Sequence, residues 1–207
     1  MSSENAHSPT IIRAGVADIP QIRAMAGVAF PATYAAIITP EQTAYMMQMM
    51  YAEEVLRREM TELDIAWFIA LQADGVPSGF VSIGRDDSHI ATAAPGAAAA
   101  GGEAAGGVGG GGAAQADFAT NIPLFHLHKI YVLPAFQRQG LGHLLFHTAT
   151  AYAKSEASGR CRIELNVNRQ NKALDFYRRE GMHIARTGDF PIGGGFYMND
   201  YIMAIEL

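Results

Sequence analysis

Cysteine is nearly missing: Cys161 stands alone in 207 residues, which excludes an intrachain disulfide and fits a reducing cytosol. Long, strongly apolar runs are missing too. The one stretch of sufficient length, 91–116, is mostly Ala and Gly with Glu103 and Gln115 inside it, too weakly hydrophobic to enter a bilayer. The opening MSSENAHSPT has neither a basic start nor an apolar core, so no secretory signal is read there and a cytoplasmic protein is expected. Nor is there an excess of basic residues. A formal net charge of −5 argues against general binding of nucleic acid or anionic membranes and mildly favours cationic substrates.

What is present suits one domain with a substantial core. After a polar tail over 1–9, TIIRAG (10–15) reads as a strand. Asp18 can cap a helix with Pro20 in its first turn and Ile22, Met25 and Val28 or Ala29 on one face; Pro31 closes it. Residues 31–40 read as a connecting loop or short helix, followed by helices from Pro40–Glu41, carrying YMMQMMY, and over roughly 52–63. IAWFIALQ (65–72), the turn ADGVPSG and FVSIGR (80–85) form an antiparallel hairpin. The glycine-rich tract 91–116 buries little and loses much entropy on ordering, so it reads as a flexible loop within the domain 10–207. Beyond it lie a strand (122–132), a helix (140–155), a strand (161–167), a helix over 169–180 ended by Gly181, and strands at 182–188 and 196–207. That mixture, with a βαβ unit across 122–167, predicts an α/β or α+β sheet with helices on both faces.

The seam YVLPAFQRQGLGHLLFHTA (131–149) places Gln, Arg and two glycines between a strand and a helix. Free amides and the positive end of a helix suit an anionic ligand there, and glycine lets it approach the backbone. A Walker A loop fails on spacing and on its Lys-Ser/Thr pair, and a dinucleotide fingerprint fails for want of a third glycine. Gln137-Arg138-Gln139-Gly140-Leu141-Gly142 instead matches the [RQ]-x-x-G-x-[GA] pattern of the GNAT N-acetyltransferases. HKIYVLP before it, the apolar helix after it, a strand ending LNV and the block NKALDFYRREGM also resemble that family. The resemblance is firm over roughly 120–188 and loose over the whole chain. AFPATYAAIITPEQTAYMMQMMYAEEVLRREM further resembles bacterial members of the spermidine/spermine N-acetyltransferase type.

The resemblance implies a single-domain GNAT fold with a mixed, mostly antiparallel central sheet. It also implies acetyl-CoA as co-substrate, its pyrophosphate on the amides of residues 137–142 and His143, and its pantetheine arm along Ile130, Tyr131 and Val132. Asn171 lies six residues before Tyr177 where many members have seven, so either Asn171 or Gln170 could make the coenzyme contact. Tyr177 is the implied proton donor to the leaving thiolate, with packing as the alternative. A residue of the 122–132 strand serves many members as base, directly or through water. His128 is the first candidate and His126, on the same face, the second, because imidazole titrates near neutrality. Glu164 is the reserve, since a half-buried carboxylate needs a partner. The implied attack is direct, so Cys161 is an ordinary thiol.

Asp189 and Asp200, in the closing stretch 188–201, could anchor a cation, and YMMQMM reads as core, dimer packing or a wall for an aliphatic amine. His143 and His147 have i,i+4 spacing without an evident third ligand, so no metal is expected. The expected acceptor is a polyamine or similar small amine. A protein N-terminal or lysine acetyltransferase and a non-catalytic acetyl-CoA-binding regulatory module remain alternatives. A homodimer is a further expectation.

Overall fold

The computed structural model describes residues 9–86 and 122–207. Its strands are β1 (Thr10–Ala14), β2 (Ala66–Leu71), β3 (Pro77–Arg85), β4 (Leu124–Val132), β5 (Arg162–Asn168), β6 (His183–Gly193) and β7 (Phe196–Glu206). The helices are α1 (Ile19–Tyr34), α2 (Pro40–Tyr51), α3 (Glu53–Thr61), α4 (Leu141–Ala157) and α5 (Leu174–Arg179). The strands form one sheet in the order β1-β2-β3-β4-β5-β7-β6. Only β4 and β5 run parallel, joined through α4; the other neighbours are antiparallel. The expected mixed, mostly antiparallel sheet is therefore found. Most of the tail and the whole Ala/Gly tract 91–116 lie outside the described residues. No described helix is long and apolar enough to cross a membrane.

Period-two alternation divides the core between two faces. On one, Leu141, Leu145 and Phe146 of α4 cover Phe125, Leu127, Ile163 and Leu165. On the other, Ile22 and Phe30 of α1 and Leu56 of α3 cover Trp67, Ile69 and Phe80.

Two helix boundaries depart from expectation. α1 continues through Pro31 to Tyr34. The proline ring frees the carbonyl of Gly27, four residues back, but Gly27 and Val28 are exposed, so water can serve that carbonyl. The helix expected over 169–180 shrinks to Leu174–Arg179. Asn168 Oδ1 accepts from the Gln170 amide (3.0 Å) and Asn171 Oδ1 from the Ala173 amide (2.9 Å), so two side-chain turns replace the first helical turns. β6 is longer than the expected 182–188. It is an edge strand, largely exposed, with register shifts between Ile184 and Arg186 and between Pro191 and Gly193.

β4 itself is irregular. Ser82 faces Lys129 and Ile83 faces Leu127, leaving His128 as the extra residue of a bulge. Lys129 then turns into the α1–α3 side, where its Nζ donates to Glu59 of α3 at 2.7 Å and lies 5.0 Å from the Trp67 ring centre. Both side chains are buried, 5% and 12% exposed. Removing one partner leaves an uncompensated charge, so Glu59→Gln is expected to lower unfolding stability by about 3–5 kcal/mol in a denaturant titration. A loss below about 1 kcal/mol would show the pair to behave like a surface contact.

Candidate active site

The site begins where a sheet contact ends. β4 and β5 are paired only over Leu124–His126 and Arg162–Glu164, so the rest of the two strands diverges and opens a cleft. The Leu133 amide donates to Ser78 O on β3 (2.9 Å). By alternation the Tyr131 amide also faces β3, and those of Ile130 and Val132 face the cleft. Of the three amides expected along a pantetheine arm, the strand thus presents two.

At the end of β4 the chain makes a short turn, Pro134–Phe136, and enters α4 through Gln137–Gly140, all exposed. Gln137 Nε2 donates to Val132 O (3.1 Å) and Gln139 Nε2 to Ala135 O (3.4 Å), folding the turn on itself. Arg138 has φ +64° and Gly140 φ +82°. The left-handed backbone at Gly140 favours glycine, and an added Cβ would meet open space, on the side a ligand would approach. No side chain caps α4. The amides of Leu141, Gly142 and His143 therefore lack intrahelical acceptors at the positive end of a 17-residue helix.

Tyrosines line the cleft. Tyr34 ends α1, Tyr131 lies on β4 and Tyr177 on α5; the Tyr131 hydroxyl and the Asn171 carboxamide both reach the Tyr34 hydroxyl as donors. Burial, and next the neighbouring Tyr34, push the Tyr177 hydroxyl up, so it remains protonated across the neutral range and can donate a proton. Tyr51, at the end of α2, adds a further buried hydroxyl that the Tyr131 hydroxyl also approaches. Asn171 thus belongs to the tyrosine cluster as well as to its own turn, while Gln170 is exposed.

The base candidates lie elsewhere. His126 and His128 sit side by side, ring centres 4.9 Å apart, on a surface cavity of about 510 Å³ shared with Leu63, Ile65, Arg85 and Asp86. Near-neutral titration was expected of them. Instead, burial of the ring, with His126 and Lys129 adding positive potential, pushes His128 down to about 3, while the residue as a whole stays exposed, so solvent weakens that shift. Crowding also lowers His126. Glu164 has its expected partners: Arg162 Nε donates at 2.8 Å and the Arg186 guanidinium at 3.1 and 2.6 Å. Although burial alone would raise it, the two arginines hold its carboxyl below the usual value.

Asp200 of β7 differs from all three. It is 5% exposed; Asn166 Nδ2 reaches Oδ2 at 3.5 Å, and Oδ1 has no hydrogen-bond partner among the described residues. Burial raises its pKa against the smaller opposing effects of Asn166 and Arg169, and its charge acts on Tyr34. Asp189, by contrast, is exposed and already held by Arg169 (2.8 Å) and Asn199 (2.7 Å). Above this region α2 meets the β6–β7 turn. Tyr45 Oη donates to Ile192 O (2.7 Å), and the Tyr45 and Phe196 rings lie 5.4 Å apart. A side chain at Gly193 would collide with the Tyr45 hydroxyl.

Residues 64–182 match the model of the acetyltransferase (GNAT) domain. The chain belongs to the GNAT family. Over 82 residues it is 37% identical to an uncharacterized N-acetyltransferase of Mycobacterium bovis, covering 39% of this chain and 51% of that protein. Relatives in Mycobacterium tuberculosis match to the same extent, so the chain spans about half the length of the curated relatives it matches. Among solved structures, PaiA N-acetyltransferase of Thermoplasma acidophilum in complex with coenzyme A aligns over 97% of this chain and 99% of its own, with TM-score 0.64 and 19% identity. A GCN5-related N-acetyltransferase of Rhodopseudomonas palustris aligns over 100% of both chains with TM-score 0.66 and 15% identity. At those identities the likeness concerns the GNAT fold.

If the open turn holds the coenzyme, acetyl-CoA at 100-fold excess over its dissociation constant stabilises the protein by about 2.7 kcal/mol, read as a rise in melting temperature. In the Gly140→Val/Gly142→Val variant that rise should disappear, because side chains cover the amides and strain the turn. An undiminished rise would place the coenzyme elsewhere.

Proposed function

We propose that this GNAT chain is an acetyl-CoA-dependent N-acetyltransferase that acts on a small cationic amine by direct attack within a ternary complex. The observation that carries the reading is the β4–β5 cleft ending on the uncapped, glycine-opened start of α4. The residues fit a coenzyme on the chain's own chemistry: free amides for phosphate, strand amides along the cleft, and a protonated phenol within it. The coenzyme A in the PaiA structure supports that assignment.

In this reading the Tyr177 hydroxyl holds the proton that passes to the thiolate when the thioester C–S bond breaks. The new C–N bond forms from an amine that has lost its proton, and Asp200 is the group that attracts the ammonium and takes that proton. A buried carboxylate oxygen without a partner favours a cation beside it. The Tyr45–Ile192 hydrogen bond ties α2 to the β6–β7 hairpin that carries Asp200, a closed arrangement that supports a small acceptor over a polypeptide.

The test is release of free thiol from acetyl-CoA against a panel of polyamines, short alkylamines and peptides. Polyamines should turn over fastest. Preference for peptides would replace this acceptor by a protein N-terminus or lysine, and coenzyme binding without turnover on any amine would make the chain a binding module.

Tyr177→Phe should lower kcat by at least about tenfold while leaving acetyl-CoA affinity nearly unchanged, since general-acid help is worth roughly 10²–10⁴. A smaller drop would return Tyr177 to packing.

Asp200 yields a two-sided prediction. Because its folded pKa is raised, it weakens the fold progressively as pH rises from the unfolded value through the folded one. Asp200→Asn should therefore melt no lower than the parent at pH 7, yet raise KM for the amine by at least about tenfold and abolish the acidic limb of kcat/KM. An unchanged limb and KM would remove Asp200 from the mechanism.

A further inference from the structure

A second cluster of functional side chains lies on the far side of α4 from the α1–α3 layer, and the acetyl-transfer reading draws on it only for the backbone amide of His143. His143 and His147 stand one turn apart on α4, their ring centres 4.1 Å from each other. The structure supplies the third donor that their spacing alone does not. Glu180, at the end of α5, brings one carboxylate oxygen to 3.1 Å from His143 Nδ1 and the other to 3.2 Å from His147 Nε2. All three donor groups lie within 4.8 Å of one another. We propose that His143, His147 and Glu180 form a binding site for a divalent transition-metal ion of the zinc class.

Neighbouring ligands of a tetrahedral ion bound at about 2.0–2.2 Å sit roughly 3.3–3.5 Å apart, close to both carboxylate–imidazole separations. The two rings are the adjustable part. They are 64% and 56% exposed, so turning their lone pairs inward disturbs no packing, whereas the carboxylate is 9% exposed and already fixed in place. The described ion-pair partners of Glu180 are these two imidazoles, with no Lys or Arg among them. Two imidazoles and one carboxylate suit zinc, cobalt or nickel rather than calcium or magnesium, and leave a coordination position to water. The early turns of α4 disfavour a cation through the helix dipole, and the Glu180 charge offsets that. A bound ion would tie α4 to α5, the short helix that carries Phe176 and Tyr177, and so brace the aromatic side of the cleft.

The experiment titrates the whole chain, freed of metal by a chelator, with Co²⁺ as the optical probe and Zn²⁺ as competitor. The expected result is about one Co²⁺ per chain, with the intense visible absorption of a four- or five-coordinate ion, displaced by stoichiometric Zn²⁺. His147→Ala and Glu180→Gln should each weaken binding at least about tenfold. Zn²⁺ should raise the melting temperature of the parent but of neither variant. His147 is exposed, so its replacement leaves the fold to report. Absence of the absorption overturns the proposal. So does binding that survives both substitutions, or that is lost on His126→Ala instead, which would move the ion to the His126–His128 pair.

Discussion

Parallel pairing between β4 and β5 lasts for three residue pairs, and nearly everything at the candidate site depends on its ending there. Had the ladder continued, the amides of Ile130 and Val132 would be spent on β5. Two further features keep the cleft in use. The bulge at His128 re-aims β4, sending Lys129 into its buried ion pair and Tyr131 towards Tyr34. α4 crosses to β5 and begins without a cap, so the unsatisfied donors of strand and helix converge on one opening. Sheet geometry and helix geometry each leave donors over, and the fold puts both sets in the same place.

The cleft also gathers groups that the fold alone does not reward. Asp200 has a buried oxygen without a hydrogen-bond partner among the described residues, and Tyr177 a hydroxyl held well above its ordinary pKa. Each would be better satisfied in water. Glu164 is the instructive contrast: it too lies on the sheet, but both its oxygens already accept from arginines.

Much of the fold was legible in the sequence because apolar residues recur with the period of the element they belong to. Alternation in IELNVN and the short β-branched and aromatic run IAWFIAL mark strands, and Leu141, Leu145 and Ala149 mark a helix. The coenzyme turn was legible for a different reason, since its glycines answer a local backbone requirement that leaves a short pattern. What escaped depended on contacts between distant segments. Tyr34 read as part of a connection after Pro31, because local sequence does not show that the proline faces a solvent-exposed turn of helix. The lowered pKa of His128 depends on its surroundings in the folded sheet, which spacing cannot reveal, and Glu180 meets two histidines over thirty positions away. Asp200 was only one carboxylate among two until burial separated it from Asp189.

The irregular strand β6 is one of the sheet's two edges, and its irregularity limits what that edge can pair with. A straight, open strand edge is a template on which a second chain can lay down its own backbone and continue the sheet. Here Pro191 withholds a donor, two register shifts twist the ribbon, and Arg186 and Asp189 bring charge to its length. Backbone zippering along that edge is thereby discouraged. Along this edge, contact with another copy is left to side chains, where the partner is chosen by shape; the opposite edge of the sheet is the short β1.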